Sequence, residues 1–205
     1  MEIAQTINDH HTNVFIQLLA KAYQDYDRRP ALCRLACVLF ENAKYLVATD
    51  GIIAVALPTS PELELGDYEG VPHLVKLDDD RLCRQVNGLL KQLPGFKTAQ
   101  LGVDENVYGT HAFVDESFFE SETLTDDVLL VHVANDEFVI DMEKPYTHIL
   151  KRDLYEYATN AIGYFDAVRY AKPDQMMGFF NNAGRGFALI MPMKPNCKIK
   201  KVAGF

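Results

Sequence analysis

The stretch Leu46-Val47-Ala48-Thr49-Asp50-Gly51 is an apolar run that ends in an Asp-Gly pair. A short apolar run followed by Asp-Gly is typical of a strand entering a tight turn. A second informative run, Met191-Pro192-Met193, lies near the other end of the chain, where proline is typical of the end of a strand. Each run alone indicates only a strand and its end, so the fold class depends on what surrounds them.

The chain around these two runs repeats one pattern three times, an amphipathic helix followed by short strands. Apolar residues at helical spacing predict helices over residues 14–22, 82–93 and 152–164. Short β-rich runs with turn residues between them predict strands around these helices, including residues 35–40 and 137–141. This repetition predicts an α+β protein with helices on one face of antiparallel sheets.

Two acidic segments suggest local roles. The triplet Asp78-Asp79-Asp80 precedes the second helix, where carboxylates are expected to cap the free backbone amides and complement the helix dipole. Residues 115–127 are acidic, rich in Ser and Thr, and without periodicity, which predicts a linker. We therefore expect two domains, residues 1–116 and residues 117–205, the second ending in a basic tail.

Composition indicates an ordinary soluble protein. Of 205 residues, 48% are apolar and 24% are charged. No apolar run approaches the roughly 20 residues that span a bilayer, and the N-terminus lacks the features of a signal peptide. A cytoplasmic protein without a membrane partner is expected. The four scattered cysteines are accordingly expected to be reduced.

The net charge of −9 argues against simple non-specific binding to nucleic acid, but the charge is unevenly distributed. Residues 98–143 hold twelve acidic residues and no Lys or Arg. The other 159 residues hold 17 acidic and 20 basic residues. A mildly basic surface is therefore compatible with the composition, and so is a solvated acidic hairpin that only keeps the protein soluble.

Several short motifs together resemble one family. Arg29-Pro30-Ala31-Leu32, Leu39-Phe40-Glu41 and the opening stretch Leu46 to Gly51 are similar, in this order, to the bacterial sliding clamp, the beta subunit of DNA polymerase III. The late run Phe187 to Lys194 resembles the closing strand of the same family. The resemblance covers residues 12–58 and 150–195, and residues 70–115 only as helix plus strands.

The chain also departs from the family pattern. Ile52-Ile53 stands where the family has His-Arg, and residues 195–205 extend beyond the family's usual end with a lysine-rich tail. The chain is much shorter than a bacterial clamp protomer, which suggests a phage-like variant whose domains close into a ring as a homo-oligomer.

The resemblance implies a processivity factor and no chemistry of its own, hence no enzyme activity, cofactor or metal. Its partners would be duplex DNA, bound without sequence specificity, and a DNA polymerase or other replication protein that docks a linear peptide in a groove. Carried over by motif, the groove residues are Thr49, Gly51, Ile52, Ile53, Met191, Pro192 and Met193. Methionine suits such a groove because its thioether adapts to varied apolar ligands.

Helices that line a DNA channel need basic side chains that hold phosphates. The residues expected to face DNA are Lys21, Arg28, Arg29, Arg81, Arg84, Lys91, Lys151 and Arg152. The second helix is the most basic of the three, and the alternative is that these charges only solvate a helix face.

Other functions have weaker support in the sequence. His10-His11 lacks a further ligand at metal-binding spacing, and the chain has no glycine-rich phosphate loop. The rival hypothesis is a clamp-derived interaction module that binds replication proteins and never encircles DNA. Short length and weakly basic first and third helices favour this rival.

Overall fold

The computed structural model describes residues 5–24, 27–101, 110–121, 124–135, 146–194 and 198–202. The chain divides into two compact units, Met1–Gly95 with Ala183–Ala188, and Phe96–Asn182 with Leu189–Phe205. The boundary that we expected after residue 116 lies inside a strand, Thr110–Ser121, and the first unit instead runs to Gly95.

The first unit combines two helices with a meander of antiparallel strands. The helices are α1 (Asp9–Tyr23) and α2 (Arg81–Leu90), with 3-10 turns at Pro30–Cys33 and Leu93–Gly95. The strands are β1 (Gln5–Thr6), β2 (Leu35–Phe40), β3 (Ala43–Thr49), β4 (Ile53–Pro58), β5 (Gly66–Glu69) and β6 (His73–Lys76). They pair in the order β1-β6-β5-β2-β3-β4, every pair antiparallel.

The core of the first unit follows the predicted apolar periodicity. Phe15 and Leu18 of α1 and Leu82 of α2 are at most 1% exposed, and so are Leu35 and Leu46 of the sheet. Both sides of β2 to β4 are thus largely covered, which explains their near-continuous apolar sequences.

The late segment Ala183–Ala188 packs into this core with one aromatic side chain, that of Phe187. The Phe187 ring lies 5.2 Å from that of Phe40 and 5.0 Å from that of Tyr45, centroid to centroid. Gly186 fits here because a Cβ would lie 2.3 Å from the Ala56 carbonyl oxygen, in a backbone conformation with φ +132°.

The start of α2 corrects one prediction. The triplet residue Asp80 occupies the N-cap position but makes no side-chain capping bond. The cap is instead Asp67 of β5, whose carboxylate accepts hydrogen bonds from the amides of Leu82 at 2.9 Å and Cys83 at 2.6 Å. A carboxylate from a distant strand satisfies free amides as well as a local one, and it also ties the helix to the sheet.

The second unit contains one helix and a second group of strands. Its helix is α3 (Arg152–Ile162). Its strands are β7 (Lys97–Leu101), β8 (Thr110–Ser121), β9 (Leu124–Asn135), β10 (Tyr146–Lys151), β11 (Ala167–Tyr170), β12 (Met177–Asn181) and β14 (Ile199–Lys201). They pair in the order β12-β11-β7-β8-β9-β10, with β7 and β8 parallel, and β14 also pairs with β8. Strand β13 (Gly186–Ile190) is divided between the two units.

The linker predicted at residues 115–127 is wrong. Residues 115–121 continue β8, and residues 124–127 begin β9. The two strands pair across the segment, with Phe119 opposite Val128 and Glu120 opposite Asp127. The paired residues of the segment make their backbone hydrogen bonds within the β8–β9 hairpin despite a composition typical of loops, and the register shifts between Asp115 and Phe119. The strand predicted over residues 137–141 lies outside the described residues.

The predicted α+β class is confirmed by the helices and antiparallel strands of both units. None of the helices in the described ranges is long and apolar enough to cross a membrane.

His148 is an unusual buried group in the second unit. Its side chain is 0% exposed on β10, and its ring meets Tyr170 edge to face with centroids 6.0 Å apart. Among the described residues, neither ring nitrogen has a hydrogen-bond partner of good geometry. Burial lowers the pKa of His148 from 6.5 to about 4, and the backbone of Pro173 opposes this shift only partly.

We expect His148 to make the protein acid-sensitive. The unfolded chain takes up a proton near pH 6.5 and the folded chain only near pH 4, so stability is complete above pH 6.5 and is lost as the pH falls between these values. The loss approaches about 1.4 kcal/mol per pH unit. Urea unfolding of the unchanged protein and of His148→Phe at pH 6.5 and 5.0 checks this. The unchanged protein should lose about 1.5 kcal/mol more than the variant, and equal losses would contradict the assignment.

Candidate DNA and peptide contact surfaces

The Asp-Gly turn after β3 is held by its own side chains. The Asp50 carboxylate accepts hydrogen bonds from the amides of Ile52 at 2.9 Å and Ile53 at 3.0 Å. The Thr49 hydroxyl donates to the Ile53 carbonyl at 2.7 Å and accepts from the Gly51 amide at 2.9 Å. Such side-chain to backbone bonds make a compact and rigid turn.

Glycine is required at position 51 for two reasons. Its φ of +92° is strained for other residues, and an added Cβ would lie 2.6 Å from Arg29 Nη1. The turn is therefore packed directly beneath a guanidinium group of the segment before β2. The Arg-Pro motif and the Asp-Gly motif, separate in the sequence, meet at this point.

The exposed part of the predicted peptide site in the first unit is small. Ile52 is 46% exposed at the tip of the turn, and Gly51 is also exposed. Thr49 is 8% exposed and Ile53 is 1% exposed, so both are buried beneath the turn. Ile52 is thus the side chain that this segment offers to a ligand, and the other two hold it in place.

The second predicted peptide segment lies in the second unit beside β10. The Met193 amide donates a hydrogen bond of 2.7 Å to the Ile149 carbonyl. Met191 is 42% exposed, and Pro192 and Met193 are half-buried. The backbone of this segment is fixed by β10, and Met191 is its most accessible side chain.

Three of the predicted DNA-facing arginines surround one cavity of the first unit. Arg28, Arg29 and Arg81 line a space of about 390 Å³ together with Gln85 and Gly51. All three arginines are exposed at its rim. Gln85 was absent from the predicted site, although it is four residues after Arg81 and hence on the same face of α2.

The start of α2 carries an ion-pair network centred on Asp79. Its carboxylate lies 2.9 Å from Arg34 Nη1, 2.6 Å from Arg81 Nε and 3.8 Å from Arg84 Nη2. Hydrogen bonds from Arg81 and Arg34 lower the pKa of Asp79. Three cations share this one carboxylate, so the network retains positive charge, and the side chains of Arg81 and Arg84 remain 52% and 73% exposed.

The other predicted DNA-facing residues differ in accessibility. Lys21 near the end of α1 and Lys91 after α2 are exposed. Lys151 is half-buried, and the Arg152 side chain is 16% exposed, with Nη1 3.9 Å from Glu156 Oε1. Arg152 is therefore less available to a phosphate than Arg81 or Arg84.

The His, Cys, Asp and Glu side chains of the described residues bear on metal binding, and the burial of their thiols bears on reactivity. Within the described ranges no group of three or more His, Cys, Asp or Glu side chains is placed to hold a metal ion. Cys33, Cys37 and Cys83 are buried free thiols. Burial raises the pKa of all three, that of Cys37 to about 11, which is opposite to the shift that activates a nucleophile.

Comparison with solved structures identifies bacterial beta clamps as similar to this chain. A Helicobacter pylori beta clamp bound to a DNA ligase peptide is 13% identical, with a TM-score of 0.47 over 93% of this chain and 65% of the clamp. The DNA polymerase III beta subunit of Borrelia burgdorferi is 10% identical, with a TM-score of 0.44 over 94% and 67%. That of Streptococcus pyogenes is 12% identical, with a TM-score of 0.43 over 95% and 68%.

No family model matches the sequence, and no curated protein matches it either. The chain spans about 65% of the length of the Helicobacter pylori clamp. Each of these solved structures is a bacterial beta clamp, and the phage-like origin of this chain stays a prediction.

Proposed function

We propose that this protein is a non-enzymatic, clamp-like processivity factor. It encircles duplex DNA as a homo-oligomer, each of its two units serving as one clamp-like domain, and tethers a DNA polymerase or other replication protein through a linear peptide. The observation that carries the proposal is the cavity bounded by Arg28, Arg29 and Arg81. Arginine supplies the charge and the hydrogen-bond donors that a phosphate backbone requires, and three arginines line this one cavity.

The surface near the cavity carries charges of both signs. Arg28, Arg29, Arg81 and Arg84 lie before the 3-10 turn at Pro30–Cys33 and in the first turn of α2, and the acidic triplet Asp78 to Asp80 precedes that helix. Contacts to phosphate alone carry no sequence information, and this suits a protein that slides. The acidic remainder of the chain would oppose DNA bound anywhere else on the surface.

Two separate peptide contacts are proposed, one at the exposed side chain of each motif segment. Ile52 in the first unit and Met191 in the second each present a large apolar group on a backbone fixed by hydrogen bonds. An apolar anchor on a rigid support binds a peptide without a large ordering cost. With isoleucine in place of the family's His-Arg pair, the preferred peptide should be more apolar.

A second candidate function has its own support. Asp79 engages Arg34, Arg81 and Arg84, and Arg152 is mostly buried, so part of the predicted DNA-facing charge is already used within the fold. A module that binds replication proteins without encircling DNA needs only the peptide contacts. Light scattering during size exclusion tests the choice. A ring requires a mass that is a multiple of the protomer at micromolar concentration, and a monomer would favour the module.

Replacement of Ile52 by aspartate is expected to weaken peptide binding at least tenfold. Loss of a buried isoleucine contact costs about 1.5–3 kcal/mol before the added charge is counted. The DNA ligase peptide that the Helicobacter pylori clamp binds is a practical fluorescent probe for anisotropy. Leu65→Asp is the matched control, because Leu65 is 45% exposed and lies outside both motifs. Equal losses for the two variants would remove Ile52 from the contact.

A further inference from the structure

The segment Ile199–Lys201, which forms β14, occupies part of one edge of β8. Strand β9 pairs with the other edge of β8 along most of its length. On the β14 side, β7 covers only the start of the edge, pairing Gln100 with His111 and Leu101 with Ala112. Strand β14 covers its end in antiparallel register. The amides and carbonyls of residues 119–121 would lack this partner strand if β14 left.

The register gives this edge a specific electrostatic requirement. Glu120 of β8 lies directly opposite Asp127 of β9, and on its other side it lies opposite Lys200 of β14. Two carboxylate residues in direct opposition destabilise a sheet, whereas an opposite charge in the same row stabilises it. In this backbone register Lys200 is the cationic residue paired with Glu120.

Strand β14 is a small element to hold this position. It is three residues long, Lys200 and Lys201 are exposed, and Ile199 is half-buried. So short and exposed a strand exchanges its few backbone hydrogen bonds for those of a competitor at small cost. Strand addition draws its affinity from the main chain and its selectivity from alternate side chains.

We propose that the β8 edge at residues 119–121 is a docking site for an extended, lysine-bearing segment of another protein, and that β14 is its displaceable internal occupant. The incoming segment runs antiparallel to β8, places Lys or Arg opposite Glu120 and puts an apolar residue opposite Ser121. Charge complementarity and the fit of β14 itself define this chemistry. The proposal involves neither DNA nor the Asp-Gly turn, so its test is independent of the proposed function.

The test uses the full chain carrying Lys200→Glu, which puts a third carboxylate into the row and loosens β14. The probe is a fluorescent peptide of residues 198–203, Lys-Ile-Lys-Lys-Val-Ala. A second, comparison peptide has Glu in place of the lysine at position 200. By anisotropy the variant should bind the unchanged peptide at least tenfold more tightly than the unchanged chain does. Lys194→Glu, the same charge change at an exposed lysine outside β14, should leave affinity near that of the unchanged chain.

Two further measurements keep the outcome decisive. Glu120→Lys should reverse the preference, so that the peptide with Glu binds more tightly than the unchanged peptide. Peptide binding to Lys200→Glu should also slow hydrogen exchange at the amides of residues 119–121. No binding, or equal binding of both peptides, would overturn the proposal. Self-association of Lys200→Glu with the unchanged chain would also overturn it, because the occupant would then be a second copy.

Discussion

Replacement of Asp67 by alanine is expected to lower the free energy of unfolding by about 3 kcal/mol. The Asp67 carboxylate is 0% exposed and accepts the amides of Leu82 and Cys83, and Arg34 Nη1 lies 3.6 Å away. Alanine would leave two amide donors at the start of α2 without an acceptor and remove one of the two carboxylates beside Arg34. Urea unfolding followed by circular dichroism measures the loss.

Asp78→Ala is the matched control for this loss. Asp78 is an exposed member of the acidic triplet that precedes α2. Its replacement should change the free energy of unfolding by no more than about 0.5 kcal/mol. If Asp78→Ala proved as costly as Asp67→Ala, the start of α2 would depend on the local triplet after all.

The second large effect is expected at the arginine cavity. Exchange of Arg28 and Arg29 for glutamate should lower the affinity for a short linear duplex at least tenfold in low salt, because two cations at the cavity become anions. Each phosphate contact contributes about 0.9 to the slope of log affinity against log salt. Anisotropy over a salt series should therefore show a slope that is shallower by about 2.

A matched control separates this site from a general effect of charge. Lys172→Glu with Lys194→Glu makes the same change in net charge at two exposed lysines of the second unit. Its affinity for DNA should fall much less and its salt slope should stay close to that of the unchanged protein. Equal losses in both double variants would mean that only net charge matters and that the cavity binds no phosphate.

Much of the fold is predictable from apolar spacing. The predicted strand at residues 35–40 coincides with β2, and the predicted helix at residues 14–22 lies within α1 (Asp9–Tyr23). Each of these elements buries one face, and the apolar residues of that face recur in the sequence at the period of a helix or a strand. The two-residue turn at Glu41 and Asn42 was less visible, because both residues adopt positive φ without a glycine.

Features that depend on distant partners were missed. Asp67 caps a helix that begins 14 residues later, while sequence proximity pointed to the triplet Asp78 to Asp80. The acidic hairpin of β8 and β9 has the composition of a linker, and β14 lies in a segment whose composition predicts a basic tail. In each case the polar groups of a segment pair with residues outside it, and such partners cannot be recognised from the neighbouring sequence.

The candidate site is only partly predictable from the sequence, for a related reason. The motifs located the turn, but the side chains of Ile52 and Ile53 are chemically identical and only the fold shows that one is exposed and the other buried. Burial of Arg152 and the engagement of Arg81 by Asp79 were likewise invisible. The contact between Arg29 and Gly51 depends on the tertiary structure, because it joins the Arg-Pro motif to the Asp-Gly motif.

Retention on closed-circular DNA tests the central claim most directly. The protein is incubated with a circular plasmid under conditions that allow it to load, and is then passed through a sizing column in salt high enough to remove simple ionic binding. Half of the sample is first linearised with a restriction enzyme. A protein that encircles DNA stays with the circle and leaves the linear molecule from its ends. Equal retention on both forms, or loss from both, would contradict a ring around DNA.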